Sequence, residues 1–310
     1  MRIVSFPNYA FIVMKSNNII INGTKLHYLE YGSNNLTPLI LIHGFHSCAE
    51  QMSDFANYIS PYFHLIVPDL PGFGESKEYQ DNFNLEKSAK TLLSFLKAKQ
   101  IYKYFLSGFS MGAAVALEML LNDPNGCQGN LFIYPLAMGS HIKYSSGKKK
   151  VVKYLVSFAK SPLFNPLLKK MFHSDRIMYF LFKKLSASGV STDADLKRRI
   201  INSRMCSFNT YIYGVSSIFG FQPSREKKFP GLKTIIVLNK NDELIDSRFT
   251  LKNYRNYFPN LIMKYLNLGS HNPTRKENNQ AFNRLFPPLL QDILNELGVR
   301  NKKQELRIRK

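Results

Sequence analysis

Short apolar runs alternate with helical patterns through the first half of the chain. The runs PLILIHG (38–44), HLIVPD (64–69) and YKYFLSG (102–108) contain few polar positions, and apolar residues recur at helical spacing from Leu85 to Leu96. Parallel strands that are buried on both faces have this apolar character, and strand–helix–strand crossovers join them. The pattern therefore predicts an α/β fold with a doubly wound, mostly parallel sheet.

An antiparallel hairpin is predicted to open the sheet. Asn22-Gly23 stands between two strand-like runs in NNIIINGTKLHYLEYG, and Asn-Gly favours a two-residue hairpin turn. Further elements are predicted in the second half of the chain: strands at 130–136, 234–239 and 262–268, and a closing helix over 282–297. Pro287 and Pro288 leave the start of this helix open.

The alternation stops between Leu136 and Arg225. Apolar and aromatic residues there recur at helical spacing, as in the set Met205, Phe208, Tyr211, Ile212, Val215, Ile218 and Phe219 and in the run IMYFLF (177–182). We therefore predict a helical cap over residues 136–225, inserted into a core formed by residues 1–135 and 226–310. The cap carries 16 Lys and Arg residues against three Asp residues, which is most of the formal net charge of +21.

The chain has 42 Lys and Arg residues against 21 Asp and Glu residues, and this excess favours anionic partners. Peripheral contact with an anionic membrane surface is one expectation, and a surface of solvated lysines is the alternative. No DNA- or RNA-binding module is recognisable, so a specific nucleic-acid partner is not expected. No segment approaches the ~20 apolar residues of a membrane span.

The cysteines indicate a reducing compartment. Cys48, Cys127 and Cys206 are an odd number without CxxC spacing, which argues against a disulfide scaffold or a zinc site. His43 and His46 lie close to Cys48, but no further ligand cluster accompanies them. We expect a cytoplasmic protein, membrane-peripheral if its charge is functional, without a metal or an organic cofactor.

Ser110 lies in GFSMG (108–112), with a glycine two residues away on either side. A strand-like run precedes it and a run rich in Ala and Leu follows. Where a strand turns sharply into a helix, side chains at the flanking positions would collide with the turn or the next strand, so glycine is required. The helix N-terminus favours developing negative charge. We predict that Ser110 is a nucleophile; a structural turn is the alternative.

A serine nucleophile requires a base, and the base requires a group that orients it. In this arrangement the chain order is Ser, acid, His. His141, His173 and His271 follow Ser110, and His271 alone among them lies in a strand-to-loop setting, YLNLGSHNP. We predict that His271 is the base; a surface loop histidine is the alternative.

The acid is expected on the turn after the strand predicted at 234–239. The segment NKNDELID offers Asp242, Glu243 and Asp246. Asp242 is chosen because it follows the apolar run by a few residues, where a turn would direct it across the strand ends. Asp246 remains the alternative.

In chain order these segments resemble the α/β-hydrolase family, and the resemblance covers most of the chain. The matching segments are LIHGFHS (41–47), VPDLPGFGES (67–76), GFSMG, NKNDELI (239–245) and GSHNP (269–273). The resemblance implies that the backbone N–H groups of Phe45 and Met111 form an oxyanion hole, and that His43 and Gly44 shape the substrate loop. It also implies a cap that covers the site, whereas VPDLPGFGES is expected to be structural.

The type of nucleophile narrows the expected chemistry. Haloalkane dehalogenases and epoxide hydrolases resemble this layout but have an aspartate where Ser110 stands, so serine points to acyl transfer. We expect a serine hydrolase that cleaves a small-molecule carboxylic ester with a hydrophobic acyl group through an acyl-serine, because the cap is apolar and aromatic. A thioesterase, an amidase, a carbon–carbon bond hydrolase and a ligand-binding receptor with little turnover remain alternatives.

Overall fold

The computed structural model describes residues 2–4, 12–185, 193–224, 226–268, 271 and 276–299, and within them the chain forms a nine-stranded mixed sheet flanked by helices. The strands are β1 (Arg2–Val4), β2 (Ile12–Ile21), β3 (Thr24–Tyr31), β4 (Pro38–Ile42), β5 (His64–Pro68), β6 (Tyr104–Phe109), β7 (Cys127–Ile133), β8 (Thr234–Asn239) and β9 (Ile262–Leu266). Their order across the sheet is β1-β2-β3-β5-β4-β6-β7-β8-β9. The predicted doubly wound sheet is confirmed.

One edge of the sheet is antiparallel. β1 pairs with β2, β2 with β3 and β3 with β5 in antiparallel register, whereas the pairings from β5 through β9 are parallel. Asn22 and Gly23 form the turn between β2 and β3 with positive φ values of 49° and 78°. The predicted opening hairpin is therefore confirmed.

Helices cover both faces of the sheet. They are α1 (Ser53–Ile59), α2 (Leu85–Ala98), α3 (Met111–Asn122), α4 (Ser146–Lys160), α5 (Asn165–Phe172), α6 (Asp175–Leu185), α7 (Asp193–Ser203), α8 (Phe208–Gly220), α9 (Ser247–Tyr257) and α10 (Lys276–Leu297). Along β4, Ile40 and Ile42 join the hydrophobic cluster that contains α2 and α3 residues, while Leu39 and Leu41 join the cluster that contains α1 and α10 residues. Successive side chains of β4 point to opposite faces of the sheet, so they contribute to two hydrophobic cores, one on each face.

Helices α4 to α8 are inserted between β7 and β8, which confirms the predicted inserted helical region. They have a small hydrophobic cluster of their own, formed by Ala159, Phe172, Met178, Ile200 and Phe208. The run IMYFLF lies within α6, but Met205 precedes α8 in a turn instead of forming part of that helix. The division at residues 136–225 into a separate cap domain stays a prediction.

The closing helix α10 begins at Lys276 and continues through Pro287 and Pro288, so it starts before the predicted 282. Parts of the predicted segments lie outside the described residues: residues 300–310 of the core, Arg225 at the cap boundary, and residues 269, 270, 272 and 273 of the GSHNP segment. None of the described helices combines the length and the apolar character that crossing a membrane requires.

Candidate active site

Ser110 stands at the corner between β6 and α3. Its backbone has φ +49° and ψ −111°, an unfavourable region for a residue with a side chain. Two bonds to the segment around the end of β7 fix the corner: the Ser110 N–H donates to the Ile133 carbonyl (3.0 Å), and the Ser110 carbonyl accepts the Leu136 N–H (3.1 Å). The predicted strand–turn–helix context of the serine is present.

The flanking glycines are required by close backbone contacts. A Cβ atom on Gly108 would lie 2.5 Å from the amide nitrogen of Ala113, and one on Gly112 would lie 2.2 Å from the carbonyl oxygen of Ile42. Both distances are far shorter than van der Waals contact, and both partners are backbone atoms that cannot move aside. The spacing of the two glycines around Ser110 therefore follows from the packing of α3 against β4 and β6.

Folding brings Ser110, His271 and Asp242 into a line. The Ser110 Oγ atom lies 3.0 Å from His271 Nε2, and His271 Nδ1 lies 2.6 Å from Asp242 Oδ2. Ser110 follows β6, Asp242 follows β8, and His271 comes after β9. Because these strands run parallel in one sheet, their carboxyl ends meet at one edge, and residues distant in sequence become neighbours there.

Asp242 is held by two backbone bonds in addition to its contact with His271. Its Oδ1 atom accepts the N–H groups of Leu244 (2.9 Å) and Ile245 (2.8 Å), and the side chain is buried. Burial raises the pKa of this carboxyl, but the His271 imidazole and the two N–H donors outweigh burial and hold the pKa below its usual 3.8. Asp242 is therefore ionised at neutral pH.

Asp246, the alternative acid, has a different position. Its Oδ1 atom accepts the N–H groups of Arg248 (3.0 Å) and Phe249 (3.2 Å), so Asp246 is the N-cap of α9. It is Asp242, and not Asp246, whose carboxylate contacts His271.

The electrostatic surroundings of His271 favour its protonated form. Burial lowers the pKa of His271, but the adjacent Asp242 carboxylate and, to a smaller extent, Glu243 raise it above the usual 6.5. The Glu243 Oε2 atom also accepts the His271 backbone N–H at 2.6 Å. Sequence reasoning considered Glu243 only as a candidate acid and missed this second contact, which helps to fix the histidine backbone.

The loop after β4 contains the other predicted site residues. Gly44 and Phe45 line a cavity together with Ser110, Met111 and His271. The predicted oxyanion hole, the N–H groups of Phe45 and Met111, thus belongs to segments that border the serine. The role itself stays a prediction.

His43 lies behind this loop, fully buried. One ring nitrogen, Nδ1, bonds the Gly44 carbonyl at 2.8 Å, and the other, Nε2, accepts the Leu70 N–H at 3.0 Å. Both ring nitrogens of His43 are hydrogen-bonded to backbone groups, and burial lowers its pKa. His43 is therefore a neutral residue that holds the loop in shape. This arrangement also leaves no nitrogen of His43 for a metal.

The turn VPDLPGFGES is built around Asp69. Its carboxylate accepts the N–H groups of Ala49 (2.6 Å) and Glu75 (3.0 Å) and lies 2.7 Å from Nδ1 of the buried His27. The Nε2 atom of His27 in turn lies 3.0 Å from the Ser16 hydroxyl. The turn therefore ties the loop after β4 to β2 and β3, consistent with the structural role expected of it.

The cavity over Ser110 has a volume of about 380 Å³ and a mostly apolar lining. Its floor comes from the loops after β4, β6 and β8, and its roof comes from helices α4 to α8. Arg199 of α7, His46 and Ser47 are polar exceptions among the lining residues. His46 belongs to the LIHGFHS segment that carries the predicted substrate loop, whereas no sequence signal pointed to Arg199, because only the packing of the inserted helices brings Arg199 to the cavity.

The remaining histidines and cysteines have other surroundings. His141 Nε2 lies 3.2 Å from the Asn253 side-chain amide, and His173 Nδ1 bonds the Lys169 carbonyl at 2.7 Å. The three cysteines are free thiols. Within the described part of the chain, no three His, Cys, Asp or Glu side chains gather as a group that could hold a metal ion.

A sequence profile of the alpha/beta hydrolase fold matches residues 37–273. The chain belongs to the α/β-hydrolase family. The match extends from the residue before β4 to just beyond His271, and so includes the serine corner, the inserted helices and the acid loop. The resemblance inferred from the ordered motifs is thereby confirmed.

The curated relatives match over a shorter segment. Lipase 1 of Psychrobacter immobilis is 36% identical over 107 residues, which make up 34% of this chain and 33% of that protein. The dihydrolipoyllysine-residue acetyltransferase component of the acetoin cleaving system of Pseudomonas putida is 33% identical over 99 residues, 32% of this chain and 27% of that protein. The chain thus spans about a third of the length of the curated relatives it matches.

Solved structures agree with the fold over nearly the whole chain. A thermophilic esterase superposes with a TM-score of 0.63 and 20% sequence identity, covering 93% of this chain and 100% of the esterase. At this identity the likeness concerns the fold alone.

Proposed function

We propose that this protein is a serine hydrolase that cleaves carboxylic esters with an apolar acyl group through an acyl-serine intermediate. One observation carries the proposal: Ser110 Oγ, His271 Nε2, His271 Nδ1 and Asp242 Oδ2 form a continuous chain with contacts of 3.0 and 2.6 Å, and it opens into an apolar cavity. Such a chain can remove the proton from a serine hydroxyl as it attacks a carbonyl.

In the first half of the reaction, Ser110 Oγ attacks the ester carbonyl carbon while His271 Nε2 takes its proton. Asp242 keeps the other imidazole proton on Nδ1 and stabilises the imidazolium. The carbonyl oxygen gains negative charge, and we assign its stabilisation to the N–H groups of Phe45, in the loop after β4, and of Met111, at the N-terminus of α3. When the tetrahedral intermediate collapses, His271 donates its proton to the leaving alcohol and the acyl group stays on Ser110.

In the second half, His271 takes a proton from a water molecule, whose oxygen attacks the acyl carbon. The second tetrahedral intermediate expels the Ser110 oxygen, which takes its proton back from His271, and the carboxylic acid leaves. The raised pKa of His271 suits both halves, because the base must hold a proton temporarily in each. All steps use side-chain and backbone groups of this chain and one water molecule.

The apolar lining of the cavity supports an apolar acyl group as the substrate part bound there. The same residues could also cleave a thioester, an amide or an activated carbon–carbon bond, and a receptor with little turnover could retain them. The lipase among the relatives supports the ester reading by similarity.

The test compares the wild-type protein with Ser110→Ala and with Ser157→Ala, an exposed serine on α4 as the matched control. We expect the wild type and Ser157→Ala to cleave p-nitrophenyl esters at rates that depend on acyl length. For Ser110→Ala we expect kcat to be at least about 10³-fold lower. A fluorophosphonate probe should label the first two proteins only. Labelling that persists in Ser110→Ala would refute the assignment, and matched thioester and amide substrates would distinguish the alternative bonds.

A further inference from the structure

Three residues that line the cavity, His46, Ser47 and Tyr134, have a buried side-chain polar atom without a hydrogen-bond partner in the described part of the chain. Among the described residues, neither His46 Nε2 nor Ser47 Oγ has a hydrogen-bond partner, and both atoms are shielded from solvent. Both residues line the cavity, and the His46 ring stacks on Tyr211 with an angle of 7° between the planes. Nearly all buried polar atoms in proteins are hydrogen-bonded, so His46 and Ser47, adjacent in sequence and beside the cavity, are candidate partners for a polar group of a ligand.

Arg199 brings a positive charge to the same cavity. Within the described part of the chain, no ion pair joins it to a carboxylate. Burial, and then the charge of Arg199, lower the pKa of His46 to about 3, so this imidazole is neutral at physiological pH. Glu243 also lines the cavity, but its carboxylate accepts the His271 backbone N–H. The lining therefore includes Arg199 as a cation, His46 and Ser47 as neutral hydrogen-bonding groups, and Glu243 as a carboxylate bound through Oε2 to the His271 backbone N–H.

We propose that Arg199, His46 and Ser47 form an anion-binding subsite, so that the substrate is an apolar acyl ester that also carries a phosphate or a carboxylate. This inference rests on the proposed function for its acyl part. A guanidinium presents parallel N–H donors that match either anion, and a neutral imidazole and a hydroxyl can each add one donor. In an apolar surrounding an unpaired guanidinium is unfavourable, and an anionic ligand would supply the missing partner.

The experiment compares substrates that differ in the anion alone. One pair is 1-octanoylglycerol and 1-octanoyl lysophosphatidate; the other is methyl nonanoate and the monomethyl ester of decanedioic acid. We expect Arg199→Met to lower kcat/KM for an anionic member by about 10- to 100-fold, with neutral members changed by less than about threefold. Arg199→Lys should have a kcat/KM for the anionic members between those of the wild type and Arg199→Met. Lys197→Met, which removes an exposed charge from the same helix, is the control and should change none of them.

Binding separates this inference from the proposed function. In a Ser110→Ala background, isothermal titration with lysophosphatidate and with the decanedioate half-ester should detect the same loss on Arg199→Met without any turnover. A loss confined to one ligand would assign both the anion and its place: a phosphate on the alcohol side of the ester or a carboxylate at the end of the acyl chain. If Arg199→Met bound both anionic ligands as tightly as the parent, the subsite would be refuted, whether or not the protein proved to be an esterase.

A second inference comes independently from the outer face of the inserted helices. Helix α4 has apolar residues on two sides. Those that line the cavity are Val152, Leu155, Val156 and Ala159. Those exposed to solvent are Val151, Tyr154, Leu155 and Phe158. The exposed set follows the spacing i, i+3, i+4, i+7, which places it on one side of the helix.

Neighbouring segments carry further exposed apolar residues. Leu163, Leu167 and Phe180, from the α4–α5 connection, α5 and α6, are also large exposed apolar residues. Residues 146–185 carry ten Lys and Arg residues against one acidic residue, Asp175, and Asp175 pairs with Arg204 at 2.5 Å. The α4–α6 segment thus combines exposed apolar residues with a large excess of positive over negative charge.

The geometry points to the α4–α6 face as a docking surface for an anionic lipid bilayer. Apolar side chains flanked by lysines match the boundary between anionic headgroups and acyl chains, where both can be satisfied at once. A protein partner would have to combine the same acidic and apolar character. Leu155 touches both the cavity and solvent, so docking would bring the bilayer within one helix of the cavity over Ser110.

The test measures co-sedimentation with vesicles made of equal parts phosphatidylglycerol and phosphatidylcholine. The double variant Tyr154→Ser/Leu163→Ser removes side chains that are 70% and 78% exposed, and the control Tyr102→Ser/Ile20→Ser removes side chains that are 69% and 72% exposed outside the inserted helices. We expect the first pair to weaken binding at least about tenfold and the control to leave it unchanged. Binding should also fall in 0.5 M salt and with pure phosphatidylcholine.

Two results would overturn this second inference. The wild-type protein could fail to bind the anionic vesicles, or both double variants could bind equally well. Sedimentation velocity adds a further arm: a dimer that disappears in Tyr154→Ser/Leu163→Ser would assign the face to a second copy of this chain and reject the bilayer.

Discussion

The substitution Asp242→Asn tests the role of the acid most directly, because the structure determines how the new amide must orient. Asp242 Oδ1 accepts two backbone N–H groups, from Leu244 at 2.9 Å and Ile245 at 2.8 Å. The amide oxygen will keep this position, since an NH₂ group there would face two donors. The NH₂ group is then directed at His271 Nδ1, which lies 2.6 Å from Oδ2 in the native protein.

Two N–H groups cannot face each other at this distance, so the imidazole will carry its proton on Nε2 instead of Nδ1. His271 Nε2, 3.0 Å from the Ser110 hydroxyl, will then donate to Ser110 and can no longer accept its proton. The shape of the site is retained, but the base is lost. We expect kcat to fall by about 10⁴-fold, equivalent to about 5 kcal/mol of transition-state stabilisation, the size found for such a change in a serine protease.

The assay is the steady-state hydrolysis of p-nitrophenyl butyrate near pH 8, with melting temperature as a check on folding. Asp246→Asn is the matched control: Asp246 caps α9 by accepting two N–H groups, and Asn is an equally good N-cap. Its kcat should stay within about twofold of wild type. The reasoning would be refuted if Asp242→Asn kept kcat within about tenfold, or if Asp246→Asn showed the larger loss.

Three further outcomes follow from the same contacts. The pKa of His271 lies above 6.5, and the proposed mechanism uses its neutral form as the base. kcat/KM should therefore fall as the pH is lowered through a midpoint above 6.5, and Asp242→Asn should move the acid limb of any residual activity to lower pH. The raised pKa of His27 gives stability that is complete below pH 6.5 and is lost as pH rises through the raised value; the difference in urea unfolding free energy between wild type and His27→Gln should therefore shrink from about pH 6 to pH 9, and an unchanged difference would contradict the pairing with Asp69. Gly112→Ala would place a Cβ atom 2.2 Å from the Ile42 carbonyl oxygen. Thermal denaturation should therefore show a free energy of unfolding that is lower by about 1–3 kcal/mol, and a melting temperature equal to that of the wild type would rule out this contact.

The buried strands could be predicted from sequence because the protein interior selects uninterrupted apolar runs. Strand β8 lies at 234–239 as predicted, and all of its residues are buried. Strand β7 begins at Cys127 instead of 130, because Cys127 and Gly129 pair with β6 next to an irregularity in register. That extension depends on the neighbouring strand, and Cys-Gln-Gly carries no local strand signal. Strand β1 and helix α9 were not predicted, although Asp246 has the chemistry of an N-cap.

The candidate site divides in the same way. The two flanking glycines predicted Ser110. The chain order and the positions after predicted strands predicted His271 and Asp242, and these positions can be recognised from the local sequence. The position of Arg199 in the cavity arises from the packing of α7 over loops more than a hundred residues earlier in the chain. No short-range pattern in the sequence encodes such a contact, and charge alone could not distinguish Arg199 from Lys197 beside it.

The left-handed backbone of Ser110 has a consequence for how this protein can change. A non-glycine residue in such a conformation lowers stability by about 1–3 kcal/mol, and here the φ of +49° belongs to the residue that we propose as the nucleophile. Glycine at this position would remove the backbone strain, but it would also remove the hydroxyl group. Selection for thermal stability alone would therefore favour a more stable protein without the proposed activity. Thermostability screens on this protein should include an activity assay, so that variants that replace Ser110 are rejected.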